Sequence, residues 1–310
     1  MSNLSQVAGI YFLLQAGGVV GWWALLWLHP EYRIPFQLDV RSETALLAFW
    51  LPDLVLLAGG SLAASVWSFR RSALLPYALW FVTGSVSYAT LYCLAGALIT
   101  NGGWLSVVLM APAMLLSLVL TLALIPQSRR LLRQARPGSV GRNLTKTVVQ
   151  IVIFWGVLLF VVPAVLVELQ ERVGIPLVAF PFQKATAAAL FLAFSAVGLW
   201  SGYTMSRFGQ GTPLPLDSPR ALVVRGPYAF VRNPMAIAGL GQGVSVSLYT
   251  GSALVLGYVL LGTFIWQYVA RPVEEEDLST HFGAEYERYR QQVRCWCPSR
   301  TPFQSDPPAA

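Results

Sequence analysis

Apolar stretches of about twenty residues recur along the chain, near 6–28, 46–68, 74–99, 103–126, 147–167, 184–205, 235–250 and 252–270. Each approaches the length a helix needs to cross the hydrocarbon core of a bilayer. In lipid the backbone must satisfy its own hydrogen bonds, so runs of this kind fold as helices. The seventh is short, and with the eighth it predicts a tight helical hairpin. Composition agrees: 55% of the 310 residues are hydrophobic and 11% charged, too apolar a balance for a soluble domain of this size. The expected class is all-α integral membrane, with about eight transmembrane helices and a C-terminal cytoplasmic amphipathic helix. The N-terminal run is too long, and lacks the basic lead, for a cleaved signal peptide.

Charge sets the expected orientation. Of 21 Lys and Arg residues, only Arg33, Arg41, Arg172 and Lys184 fall in the loops after the first and fifth runs. The rest lie after the second, fourth and sixth runs and in the C-terminal tail. The positive-inside rule then puts both termini and the even-numbered loops in the cytoplasm. The net charge of +7 reads as topology and attraction to anionic lipid rather than nucleic acid, since no basic stretch is interleaved with stacking aromatics.

The chain divides near residue 140. Residues 1–140 hold four apolar runs of unassigned role; 141–300 hold the other four and the polar clusters; 301–310 form a Pro-rich tail expected to be disordered. The basic loop Gln127–Lys146 separates the halves. Cys295-Trp-Cys297 lacks a second ligand pair, so no metal site is expected. Gly209-Gln-Gly211 has no strand–turn–helix context and is weak as a phosphate loop. Asp53, after Pro52, either starts the ordered part of the second helix or is a buried functional carboxylate.

Two polar clusters abut apolar runs: Arg225–Pro234 and Glu274-Glu275-Glu276. Charges at that border are costly unless solvated or bound to something. Pro234 fits the first turn of the seventh helix and makes Asn233 its expected N-cap, with a positive helix end beside it. Beyond the eighth run, Leu278, Phe282, Tyr286, Tyr289 and Val293 recur at helical spacing and predict one apolar face, with acids in the first turn. Ordinary readings exist for both clusters: an arginine snorkelling to lipid phosphate beside a helix cap, and a solvated helix start.

The two clusters resemble the paired signatures of the isoprenylcysteine carboxyl methyltransferase-like and phospholipid methyltransferase-like membrane enzymes. Gly226, Pro227, Tyr228, Val231, Arg232, Pro234 and Met235 match the first signature. Glu274, Glu275, Leu278, Phe282, Gly283, Tyr286, Tyr289, Val293, Trp296 and Pro298 match the second. The similarity covers about 184–300. It departs at Asn233, where the family has His, at Ala236, where it has Tyr, and at Ala229-Phe230, where it has Arg-Tyr. The resemblance implies S-adenosylmethionine as cofactor, without metal, and a lipophilic or lipid-linked acceptor bearing a carboxyl, amine or thiol. It implies Arg232 and Asn233 as catalytic residues, and Tyr228, Arg232, Asn233, Pro234, Met235, Glu274, Glu275, Tyr286 and Tyr289 as cofactor-binding residues. Glu274 or Glu275 would take the ribose hydroxyls or amino group, Arg232 or the capped helix end the carboxylate, and the tyrosines the adenine or sulfonium. Two other readings remain: a non-catalytic or transport-accessory protein with a degenerate site, and an NADPH-dependent reductase like the sterol reductases. Oligomeric state is left open.

Overall fold

A computed structural model of the chain describes residues 2–38, 43–124, 133–134, 149, 152–209, 217–218 and 220–303. Most of the basic loop 127–146, Gln210-Gly211 and the tail from 304 lie outside the described residues. The chain forms two compact units, Met1–Arg129 and Arg130–Ala310.

The first unit contains α1 (Ser2–Leu28), α2 (Glu43–Arg70), α3 (Leu75–Thr100) and α4 (Trp104–Leu124). Small residues let these helices approach closely. Gly60, Ser61, Ala64, Ser65 and Ser68 are buried along α2, and the Ser65 hydroxyl donates to the Gly9 carbonyl of α1 at 2.7 Å. Thr83 of α3 meets Thr121 of α4 at 2.8 Å, and the Tyr11 hydroxyl donates to the Ala113 carbonyl at 2.9 Å. In lipid, where apolar burial drives helix association weakly, packing of small residues and interhelical hydrogen bonds carry it. Asp53 does not start a helix: it lies inside α2, where the backbone turns π-helical over Asp53–Ala58.

The second unit contains α5 (Val152–Arg172), α6 (Gln183–Gly209), α7 (Pro234–Thr250) and α8 (Ala253–Gln292). Among the described residues, seven helices are long and apolar enough to span a membrane. The exception is α7, at 17 residues, which turns into α8 through Gly251 and Ser252, as its shortness predicts. Side chains on the outer faces are apolar, Ile99 and Phe182 being 84% and 85% exposed, as surfaces meeting lipid should be. A two-residue parallel pairing of Arg133-Gln134 with Asp217-Ser218 is too short to alter the all-α class.

Two buried glutamines anchor the hairpin turn. Gln170 of α5 accepts from the Ser252 hydroxyl at 2.6 Å and the Leu254 amide at 3.0 Å, and donates to the Pro176 carbonyl at 3.1 Å. Gln183 donates to the carbonyls of Leu248 at 2.6 Å and Val178 at 3.0 Å. Replacing Gln170 with leucine strands buried polar groups, each costing about 1–3 kcal/mol. The expected result is a loss of about 2–4 kcal/mol in denaturant titrations in detergent.

The expected boundary between the eighth membrane helix and a separate amphipathic helix is not observed. The helix runs on through Arg271-Pro272 into the acidic segment, a π-helical turn at Trp266–Ala270 coming just before the proline. Pro272 lacks an N–H for the preceding turn, and a π-turn is one way of absorbing that loss. The break comes later, at Gly283 (φ 48°, ψ −124°), a conformation only glycine adopts without strain.

Candidate functional site

The polar cluster forms where the chain enters α7 and where the apolar part of α8 ends. Gly226–Ala229 is a single 3₁₀ turn, and Asn233 caps α7 by accepting from the Ala236 amide at 3.0 Å. Pro234 at the first helical position has no N–H to satisfy. Gly226 has φ +56°, and a Cβ there would stand 2.9 Å from the Thr204 hydroxyl of α6. The turn that delivers Tyr228–Asn233 therefore requires glycine.

The tail beyond α8 folds back over this entry segment. The Arg232 amide donates to the Arg294 carbonyl at 3.0 Å, the Ser299 amide to Phe230 at 2.7 Å and the Phe303 amide to Ala229 at 2.9 Å. Tyr286, Tyr289 and Val293 form a closed cluster with Leu222, Val224, Leu278, Phe282 and Phe303. The Tyr289 hydroxyl donates to the Tyr228 carbonyl at 2.7 Å, and its ring meets Phe303 edge-on at 5.2 Å. Phe303, in the stretch expected to be tail, is thus part of the packing. Tyr228, Tyr286 and Tyr289 are 5%, 2% and 3% exposed. Protein encloses these rings, and they fasten the tail to the α7 entry. Burial raises the pKa of the Tyr286 hydroxyl to about 12, against the lowering influence of the neighbouring Arg232.

Arg232 and Asn233 meet Glu274 and Glu275 directly. The Arg232 guanidinium donates to Glu275 at 2.8 Å, and the same Glu275 oxygen accepts from Arg271 Nε at 2.9 Å. The Asn233 amide donates to Glu274 at 3.2 Å. Partners 41 and 43 residues apart in sequence thereby close into one cluster. The two acids are not equivalent. Glu275 is held between two arginines, whereas Glu274 meets only a neutral amide among the described hydrogen bonds. Desolvation, then the charges of Glu275 and Asp277, push the Glu274 pKa up to about 7. Its charge also helps burial to push the Tyr228 hydroxyl upward. Among the described residues, the buried Nε of Arg232 has no acceptor. One carboxylate with spare capacity and one arginine N–H without a partner thus share a small space. A carboxyl as strongly perturbed as that of Glu274 makes this cluster a candidate functional site.

One supporting residue, Gln267, carries no motif signature in the sequence. Gln267 accepts from Arg271 at 3.1 Å and from the Trp296 indole at 2.8 Å, while Trp296 packs edge-on against Trp266 at 4.9 Å. The one available signal for Gln267 is its position four residues before Arg271 on a helix. Cys295 is buried and Cys297 exposed, both as free thiols.

Residues 182–285 match the family model of the phospholipid methyltransferases. This stretch is a domain of the isoprenylcysteine carboxyl methyltransferase-like and phospholipid methyltransferase-like membrane family. It includes Arg232, Asn233, Glu274, Glu275 and Gly283 but ends before Tyr286. Comparison with curated proteins and with solved structures gives no significant match. The chain is accordingly a multi-pass membrane protein carrying a methyltransferase-family domain of the type that acts on lipid. The first unit lies outside the matched residues.

Gly283→Ala tests the kink within the domain. The side chain meets no neighbour, so any penalty is conformational and about 1–3 kcal/mol. Melting should fall, and limited proteolysis should begin in the tail after residue 292, because the turn that aims Tyr286 and Tyr289 at the α7 entry is lost. Unchanged proteolysis would show that the tail docks without it.

Proposed function

We propose that this protein transfers a methyl group from S-adenosylmethionine to a lipophilic or lipid-linked acceptor at the cytoplasmic face of the membrane. The observation that carries the reading is the meeting of Arg232 and Asn233 with Glu274 and Glu275 inside a methyltransferase-family domain. The residues suit such a molecule: it brings a cation and a carboxylate, and the cluster offers one under-used acid and one unpartnered arginine N–H.

When bound, the methyl donor supplies an activated methyl on a positively charged sulfur. The chain's part is to bind, align and keep water out. Glu274 accepts from the cationic amino group or the ribose hydroxyls. Arg232 donates to the carboxylate, and its planar donor set suits that group. Asn233, through its cap on Ala236 and its bond to Glu274, fixes the α7 end relative to α8. Glu275 holds Arg232 and Arg271 in place. Pro234 and Met235 follow in the first turn of α7. Tyr228, Tyr286 and Tyr289 stabilise the site by pinning the tail. The orientation follows from the distribution of basic residues, which favours cytoplasmic termini and places this cluster on the cytoplasmic side.

The test is calorimetry on protein in lipid nanodiscs with S-adenosylmethionine and NADPH in parallel, followed by transfer of labelled methyl to a lipid extract. Expected are saturable binding of the former in roughly the micromolar to millimolar range and label in the organic phase. Binding of NADPH alone would make the protein a reductase, and methyl-donor binding without transfer a non-catalytic relative.

A further inference from the structure

The first unit contains a partly open cavity of about 390 Å³, within the size range of small-molecule sites. Its aromatic wall comprises Trp22, Trp23, Phe36, Phe49 and Tyr92, and among the described residues its one acidic group is Asp53. The wall is fixed by its own packing: Trp22 meets Phe36 edge-on at 4.2 Å, and Phe49 lies 4.9 Å from Tyr92. Trp23 and Phe36 are also core residues, 3% and 8% exposed. Most of the remaining lining is aliphatic.

Asp53 sits ten residues into α2, about 15 Å along the helix, well inside an apolar segment. Among the described residues its hydrogen-bond partner is the Trp23 indole N–H, which donates to Oδ2 at 3.0 Å. That donor is neutral, and among the described residues no basic side chain pairs with the carboxylate. Arg33, which does not line the cavity, is committed to Glu43 at 2.6 Å and the Leu26 carbonyl at 2.8 Å. An uncompensated carboxylate within a membrane segment is expensive and marks a functional site by default. The π-helical stretch that begins at Asp53 is a deformation that recurs at such sites.

We infer that this cavity binds a lipophilic amine, with its ammonium group on Asp53 and its hydrocarbon among the aliphatic walls. The carboxylate supplies the counter-charge, and the ring faces attract a cation in addition to offering apolar surface. A neutral lipid would fill the same space and leave the charge unbalanced. The inference does not depend on the methyltransferase reading, because neither the domain match nor the polar cluster of the second unit enters it.

The experiment uses full-length protein in nanodiscs, without methyl donor, and compares labelled dodecylamine with dodecanol after subtraction of empty nanodiscs. The amine should bind saturably and at least about tenfold more tightly than the alcohol, the lower end of what a partly desolvated charge pair contributes. Asp53→Asn should bring the amine to the affinity of the alcohol and leave the alcohol unchanged. Ala89→Trp, which fills the cavity from a lining position and keeps the carboxylate, should weaken both at least about tenfold. Equal affinities in the wild type, or an amine preference that survives Asp53→Asn, would overturn the inference. Should Asp53→Asn fail to fold, the wild-type comparison and Ala89→Trp decide it.

Discussion

Arg232→Ala should abolish detectable methyl transfer, lowering turnover by at least about two orders of magnitude, equivalent to about 2.7 kcal/mol in the barrier. Arg232 is partly committed to the protein, through Glu275 and Tyr286. Nη1 is paired with Glu275, while the buried Nε has no acceptor among the described residues. Its side chain is 11% exposed and that of Glu275 is 20% exposed, so the pair is shielded from water on both sides. Removing one partner of such a pair costs about 3–5 kcal/mol of stability, and melting must be followed alongside activity. Arg232→Lys separates the roles. Lysine keeps the charge toward Glu275 but loses the planar set of donors, so it should restore most of the melting temperature while methyl-donor affinity stays low. A snorkelling arginine would behave otherwise: Arg232→Lys would be silent in binding and turnover, because lipid phosphate accepts either cation.

The helical plan was legible because the bilayer imposes a length. Runs near 46–68 and 184–205 became Glu43–Arg70 and Gln183–Gly209, and the shortness of α7 was visible directly. Less visible was how α8 continues. A π-turn ahead of Pro272 lets one helix run on, and no spacing in the sequence announces it. The face formed by Leu278, Phe282, Tyr286, Tyr289 and Val293 was readable from spacing, yet its destination was not. A periodic aromatic stripe looks the same whether it meets a ligand or, as here, Leu222, Val224 and Phe303. The division of labour between Glu274 and Glu275 was likewise hidden. Adjacent residues on a helix point about 100° apart, and only the positions of Arg232, Arg271 and Asn233 show which acid is neutralised. Gln267 went unnoticed because a single amide in an apolar run gives no hint of its partners. The cavity beside Asp53 draws its walls from several helices of the first unit, and no local pattern announces that convergence.

Methyl-donor affinity should rise with pH and level off above neutrality, with Glu274 as the group responsible. Its pKa of about 7, against the ordinary 4.5, comes first from desolvation and then from Glu275 and Asp277. The groups facing it include the neutral amide of Asn233 at 3.2 Å and the Tyr228, Tyr286 and Cys295 side chains, whose own upward shifts include the charge of Glu274. In the free protein the carboxyl is thus half protonated near neutrality. A ligand cation prefers the ionised form, so binding below the pKa must first expel the proton. Affinity should therefore be about tenfold weaker at pH 6 than at pH 8, one pKa unit corresponding to a factor of ten. The sign for folding is opposite. Between 4.5 and about 7 the unfolded chain has released a proton that the native protein retains, so this group's contribution to stability falls as pH rises through that window. Methyl-donor binding and melting temperature should move in opposite directions over the same interval. Glu274→Gln removes the titrating group and should flatten both slopes while leaving affinity weak throughout. Calorimetry at several pH values on wild type and Glu274→Gln checks this, and a slope that persists in the variant would place the cation on another residue.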